Sequence, residues 1–115
     1  MDFNKLISEW QEFKSELLQF MEEYDFIISP VSAFPAREHG FSYDKDIIPS
    51  FSYTMFYNLN GWPSISVRAN RTENGLPIGV QIASAPWKEN ISLSLASIVE
   101  KEFGGWEKPK INVDN

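Results

Sequence analysis

The chain has 115 residues, and its 16 acidic side chains outnumber the 10 basic ones to give a formal net charge of −6. A chain of this length can enclose one small core but not two domains with a cleft between them, so we expect residues 1–115 to form a single domain. The acidic balance argues against a nucleic-acid module, because neutralising phosphates requires clustered Lys and Arg.

The residue types also limit the chemistry that the chain can perform. It contains no cysteine and one histidine, so it offers no disulfide framework, no thiolate nucleophile and no multi-histidine metal cage. We therefore expect no metal and no other cofactor. The N-terminus lacks the basic and then apolar order of a signal peptide, and no apolar run approaches the roughly 18 residues of a membrane span. These features predict a cytoplasmic protein with no membrane partner.

The first predicted element is an amphipathic helix over residues 3–24. Apolar side chains recur at steps of three and four, with charged residues between them. Asp2 or Asn4 can accept the free amides of the first turn. This pattern indicates that the helix packs through one apolar stripe, whose members are Phe3, Leu6, Ile7, Trp10, Phe13, Leu17, Met21 and Tyr24.

A short strand and a long loop follow the helix. The apolar, β-branched run after Asp25 stops at Pro30, which predicts a brief strand buried on both faces. Residues 30–50 show no sustained period. Connections longer than about 12 to 15 residues without structure are usually functional or mobile, so this loop is a candidate wall of a site.

The second half of the chain predicts a helix, a hairpin and a final helix. Residues 51–59 suit either a helical turn or a strand, and we predict a short helix that Gly61 ends. Alternation over 64–68 and 76–82 predicts an antiparallel hairpin. Helical spacing from Pro86 to Gly104 predicts the last helix. The predicted fold class is α/β: a small mixed or antiparallel sheet of about three strands with flanking helices.

Several stretches of sequence, taken in order, carry a family resemblance. They are Tyr24–Pro30, with an acid, an apolar run and a proline; Tyr53-Thr54 followed by Asn58–Val67; Asn74–Ile82; and a closing helix that ends in Glu100 near Phe103 and Trp106. Together they resemble the C-terminal part of the amidase signature family of serine amide hydrolases. The order and spacing of the blocks make the resemblance specific, and it extends over most of the chain.

The resemblance implies one segment of a larger fold whose enzymes hydrolyse amide C–N bonds. In such enzymes a nucleophilic serine attacks the carbonyl, and a second serine and a neutral lysine carry its proton to the leaving amine. A hydroxyl needs such a base, and a lysine serves only when burial lowers its pKa. This sequence lacks the Gly- and Ser-rich loop that holds those residues, so no catalytic residue is assigned and we expect the chain alone to be inactive.

The resemblance also supplies candidate binding residues. In the family, the motif Asn58-x-x-Gly61-x-Pro63 lies close to the substrate cleft, and aromatic side chains beside it could line an acyl or aryl pocket. Each of these residues also has a sufficient role in the backbone turn or in the core, and we favour that structural interpretation. Some members of the family that act on charged aminoacyl substrates carry an acid in this stretch, whereas residues 51–57 have none here, so the resemblance implies a neutral or apolar substrate. The candidate substrate-binding residues are Tyr53, Tyr57, Asn58, Gly61 and Trp62.

Other polar residues and the possible partners lead to weaker expectations. His39, a lone histidine in the long loop, is expected to be solvated. Since part of a larger sheet would leave an edge and an apolar face uncovered, we expect the partner to be a second copy, giving a homo-oligomer, or an upstream amidase subunit. Three hypotheses stay open: an incomplete amidase, a noncatalytic accessory or binding protein, and one component of a split amidase.

Overall fold

The computed structural model describes residues 2–41 and 45–109, which form one three-stranded sheet flanked by helices. The sheet order is β1-β3-β2, and both pairings are antiparallel. This confirms the predicted α/β class. The elements in chain order are α1 (Phe3–Phe20), β1 (Ile27–Pro30), a 3₁₀ turn (Ile48–Phe51), α2 (Ser52–Asn60), β2 (Ser64–Arg71), β3 (Pro77–Ala83) and α3 (Glu89–Phe103).

The two faces of the sheet carry different layers. Side chains alternate along β3, and Gln81 points towards α2, because its amide donates to the carbonyl of Tyr53. The neighbouring Ile82, which is fully buried, therefore points to the opposite face, where it pairs with Ile28 and Ile65. Helix α3 packs mainly on β2 and covers this second face, since Ile65 is partly buried while the serines beside it are exposed.

Helix α1 begins as predicted and ends earlier. The side chain of Asp2 accepts from the amide of Asn4 at 3.0 Å and caps the first turn. The helix stops at Phe20, where the prediction extended it to Tyr24. The amides of residues 22–24 bond to carbonyls three positions back, which is a tighter winding than the α-helix. The ring of Tyr24 then stacks on Phe20 at 4.7 Å, which accounts for its place in the apolar pattern.

Strand β1 is present, but the prediction that it is buried on both faces is wrong. Ile27 and Ser29 are half-buried, whereas Ile28 and Pro30 are exposed. Within the described residues β1 is an edge strand, and α3 lies over β2 and β3 on the face that Ile28 shares. The strand therefore has the composition of an interior strand and the surroundings of an edge.

The hairpin and α2 confirm their predictions, and α3 corrects one boundary. Gly61 adopts a left-handed φ of 74° and ends α2. The hairpin turn has Gly75 at φ 82°, and β2 runs three residues beyond its predicted end. Helix α3 begins at Glu89, so Pro86 lies before it. Trp87 has a positive φ of 66°, which a helix cannot include, and this delays the start.

The core lies between α1, α2 and the end of β3. Its buried members are Met21, Tyr57, Trp62 and Ala83. Helix α1 has no buried residue and is held at its middle, where the indole of Trp10 donates to the carbonyl of Leu59 at 3.0 Å. Its N-terminal end is open, with Phe3 71% exposed. None of the helices in the described ranges combines the length and the apolar character needed to cross a membrane.

The C-terminal segment lies beside β2, where it is tied by an ionic clamp. Nε of Arg68 donates to the carbonyl of Gly105 at 2.5 Å, and its Nη2 lies 3.1 Å from Oε1 of Glu107. Arg71 pairs with the other carboxylate oxygen of Glu107. A register shift between Arg68 and Asn70 further interrupts this side of the sheet. Charged residues and bulges are the usual protections of an edge strand.

The substitution Gly61→Ala tests the left-handed end of α2. A Cβ at this position meets nothing within 4 Å, so the expected loss of about 1–2 kcal/mol in the free energy of unfolding comes from the backbone alone. Gly61→Asn is the matched control, because asparagine tolerates this conformation and should lose less. Urea denaturation measures both, and equal losses for the two variants would contradict the explanation.

Candidate functional site

A buried amide joins the two sides of the candidate site. Gln81 is 3% exposed, and its Nε2 donates to the carbonyls of Pro30 at 3.0 Å and Tyr53 at 2.8 Å. It also lies 3.0 Å from the hydroxyl of Ser29. The carbonyls can only accept, so the orientation of the amide is fixed. Gln81 therefore holds the end of β1 and the start of α2 against the central strand.

Beyond these contacts, the loop after β1 and the 3₁₀ turn before α2 enclose an open groove. Its volume is about 520 Å³, and its lining is mainly apolar. The floor is formed by the sheet, where a Cβ on Gly79 would lie 3.2 Å from Oγ of Ser66. The other lining residues used below are Ser32, Phe34, Arg37, Ser50 and Phe51. The prediction that the long loop forms a wall agrees with this arrangement.

A series of contacts runs from the buried base of the groove to a cation in its lining. Ser50 is 5% exposed, and its Oγ accepts from the hydroxyl of Ser32 at 3.4 Å. The Oγ of Ser32 in turn accepts from the backbone amide of Phe34 at 3.3 Å. The guanidinium of Arg37 lies 4.6 Å from the centre of the Phe34 ring. These contacts connect Arg37, through Phe34 and Ser32, to the buried hydroxyl of Ser50.

The structure separates the predicted substrate-binding residues into two groups, and the groove is lined by neither. Tyr57 and Trp62 are 7% and 5% exposed and pack in the core. Tyr53, Asn58 and Gly61 are exposed on α2 and at its end. Their role towards a ligand stays a prediction. The neighbouring Asn60 is buried, and its Oδ1 accepts from the amide of Trp62 at 2.9 Å.

Sequence analysis missed Gln81, Ser50 and Arg37. A signal for Gln81 was present, since it is a polar residue within an otherwise apolar strand. Ser50 and Arg37 lie in a loop without periodicity, and no local pattern distinguishes them. His39 is exposed, as expected.

The described polar residues form no recognisable catalytic or metal centre. The buried hydroxyl of Ser84, for example, donates to the carbonyl of Lys88 at 3.0 Å and lies 3.5 Å from that of Ser92. In the ranges 2–41 and 45–109, no group of three or more His, Cys, Asp or Glu residues is placed to hold a metal ion.

Comparison with known proteins identifies the family. The amidase family model matches residues 2–93. The chain is 40% identical over 60 residues to fatty-acid amide hydrolase 2-A of Danio rerio, a match over 52% of this chain and 11% of that protein. It is 36% identical over 86 residues to a glutamyl-tRNA(Gln) amidotransferase subunit of Treponema denticola, over 73% of this chain and 18% of the relative.

A solved structure gives the same result for the fold. The crystal structure of a glutamyl-tRNA(Gln) amidotransferase subunit from Thermotoga maritima matches with a TM-score of 0.82 and 28% identity. The match covers 96% of this chain and 26% of that one. The chain belongs to the amidase family, also called the amidase signature family. It spans less than a fifth of the length of the curated relatives described here, at 11% and 18%.

The substitution Gln81→Met tests the amide that joins the groove walls. Methionine keeps the volume but leaves the carbonyls of Pro30 and Tyr53 without their donor, which should cost about 1–3 kcal/mol of unfolding free energy. Gln81→Glu should cost more at neutral pH, because a carboxylate would face two carbonyl oxygens. Both are measured by urea denaturation.

The exposed Gln19 on α1 provides the control for this substitution. Gln19→Met should change the unfolding free energy by less than about 0.5 kcal/mol. An equally small effect of Gln81→Met would show that the buried amide does not hold the walls together.

Proposed function

We propose that this chain is one segment of an amidase signature hydrolase that cleaves amide C–N bonds, and that it is inactive until the rest of the fold is supplied. The family match and the Thermotoga structure, of which the chain covers 26%, support this proposal. Under this proposal, residues 1–115 act as a single domain in the cytoplasm. The lysine and both serines of the reaction come from the remaining part of the enzyme.

The observation that carries the proposal is the exposed apolar edge of the sheet at β1. Ile28 is 49% exposed although the strand has an interior composition. It continues the apolar row of Ile82 and Ile65, and that row stops abruptly at the edge. The β2 side differs, since a bulge and the Arg68–Glu107 clamp interrupt it. An apolar edge of this kind favours association, and the missing part of the amidase fold would cover it.

The chemistry assigned to the chain is binding and positioning. Of the described lysines, Lys14 is partly buried over the ring of Trp10 and the others are exposed. The lysine of the reaction needs a buried position, and none of the described lysines is fully buried. The chain instead supplies the groove, and the exposed Tyr53, Asn58 and Gly61 remain candidate contacts to substrate. Tyr57 and Trp62 would support them from the core.

A noncatalytic binding or accessory protein is the second candidate function. The observation that favours it is the groove of about 520 Å³, whose walls are held by contacts within this chain. Such a protein would bind its ligand alone or as a homo-oligomer and would not gain activity from a partner. The split-enzyme and accessory hypotheses therefore differ in one measurable property, which is turnover after mixing.

An amidase assay separates these functions. We expect no ammonia release from hexanamide by the chain alone or by the product of the reading frame upstream of it alone, and release when the two are mixed. Turnover by the isolated chain would contradict the assignment of the lysine and serines to the missing part. A mixture that forms no complex would favour the accessory function.

Two surface variants locate the contact in the same assay. Ile28→Lys places a charge on the open edge of β1 and should abolish the activity of the mixture. Leu76→Lys is the matched control, because Leu76 is 41% exposed and lies at the hairpin turn. Equal activity of both variants would show that the missing part does not cover β1.

A further inference from the structure

The groove is the strongest candidate for a ligand site in the described chain. Its lining combines apolar side chains with the hydroxyls of Ser32, Ser50 and Ser66, and Arg37 is the single charged residue among the described residues that line it. None of those lining residues is acidic. In a chain with a net charge of −6, a groove whose described lining carries one positive charge and no negative charge stands out.

The guanidinium of Arg37 is held by a ring. Its Cζ lies 4.6 Å from the centre of the Phe34 ring, and the described residues place no carboxylate within ion-pair distance of it. The other two described arginines, Arg68 and Arg71, both pair with Glu107. Stacking on an aromatic face leaves the edge donors of a guanidinium available and restricts its rotamers. Less conformational entropy is then lost when those donors bind an anion.

These features define the ligand chemistry. A guanidinium presents parallel donors that match the two oxygens of a carboxylate. The mainly apolar lining suits a hydrocarbon tail beside that group, and serine hydroxyls add donors that cost little to orient. A cationic ligand would meet Arg37 without a compensating acid. We propose that the groove binds a small carboxylate with an apolar tail, with Arg37 as its anchor.

This proposal deepens the proposed function and rests on it for the origin of the ligand. Hydrolysis of an amide converts a neutral group into a carboxylate, so the acid part of an apolar amide has the required chemistry. It also refines the sequence-based expectation of a neutral or apolar substrate: the tail is apolar, and the group held by Arg37 is an anion. Arg37 contacts the ligand and does not take part in bond cleavage.

A binding titration tests the proposal on the isolated full chain. Hexanoate and hexanamide have the same tail and differ in charge, so their dissociation constants isolate the contribution of the carboxylate. Both are followed by the backbone amide shifts of Ser32, Phe34 and Gly79 in ¹⁵N-labelled protein. We expect hexanoate to bind about tenfold more tightly, the ratio that one charge-assisted hydrogen bond provides at a partly exposed site. Added salt should weaken the binding of hexanoate and leave the binding of hexanamide unchanged.

Four substitutions make the test specific. Arg37→Met keeps the contact with Phe34 and should remove the preference for hexanoate, while Arg37→Lys should keep part of it. Lys101→Met removes a charge from an exposed position of α3 and should leave the ratio of the two dissociation constants unchanged. Ser66→Phe, at an exposed strand position in the floor, should weaken both ligands. Unchanged amide shifts outside the groove show that each variant is folded.

Each result supports or overturns the proposal. Loss of the ratio in Arg37→Met with its retention in Lys101→Met supports it. Equal binding of the two ligands, an unchanged ratio in Arg37→Met, or no shift of the groove amides at the solubility limit of hexanoate overturns it. Because the titration measures binding, this proposal and the proposed hydrolase function can fail separately. Carboxylate binding without turnover in the mixture would keep the groove assignment and contradict the hydrolase assignment.

Discussion

The buried amide of Gln81 is the constraint on which the candidate site depends. Its donors reach the end of β1 and the first turn of α2, two segments that are more than 20 residues apart in sequence and have no ladder between them. The loop with Ser32, Phe34 and Arg37 leaves directly from the first, and Phe51 precedes the second. One side chain on the central strand therefore ties together the two segments beside which the groove walls lie.

The charge of the groove lining depends on the contacts within its walls. The hydroxyl of Ser32 donates to Ser50 and accepts from the amide of Phe34, and no acidic residue takes part in these two contacts. Glu38 and Asp46, the described acids of the same loop, are exposed and do not line the groove, while Arg68 and Arg71 are engaged by Glu107. Arg37 lies in the mainly apolar lining of the groove beside the Phe34 ring, and no described carboxylate pairs with it. A solvated guanidinium is stable in this position, and an anionic ligand would add a favourable ion pair to it.

The sequence predicted those features that depend on local periodicity, and it failed where a distant partner decides. Alternation found both hairpin strands, and Gly61 and Gly104 ended their helices as expected. The end of α1 and the start of α3 depend on turn geometry near Tyr24 and on the positive φ of Trp87, which no apolar pattern encodes. Gln81 acquires its meaning from carbonyls 28 and 51 positions away. Predicting those contacts requires the tertiary fold, which the family resemblance described only in outline.

The error made at β1 is itself informative about the molecule. Composition records the environment in which a strand has to be stable, and Phe26-Ile27-Ile28 has the composition of a strand covered on both faces. The described chain covers one face, through contacts of Ile27 with the core, and leaves Ile28 half in water. The same deficit recurs at the open end of α1. Burying an aliphatic side chain fully is worth about 1.5–3 kcal/mol, so an uncovered edge and an uncovered helix end remove a large fraction of the stability of a small domain. These two exposed surfaces agree with the proposal that further layers of the amidase fold cover them, whereas the groove is bounded by residues of this chain.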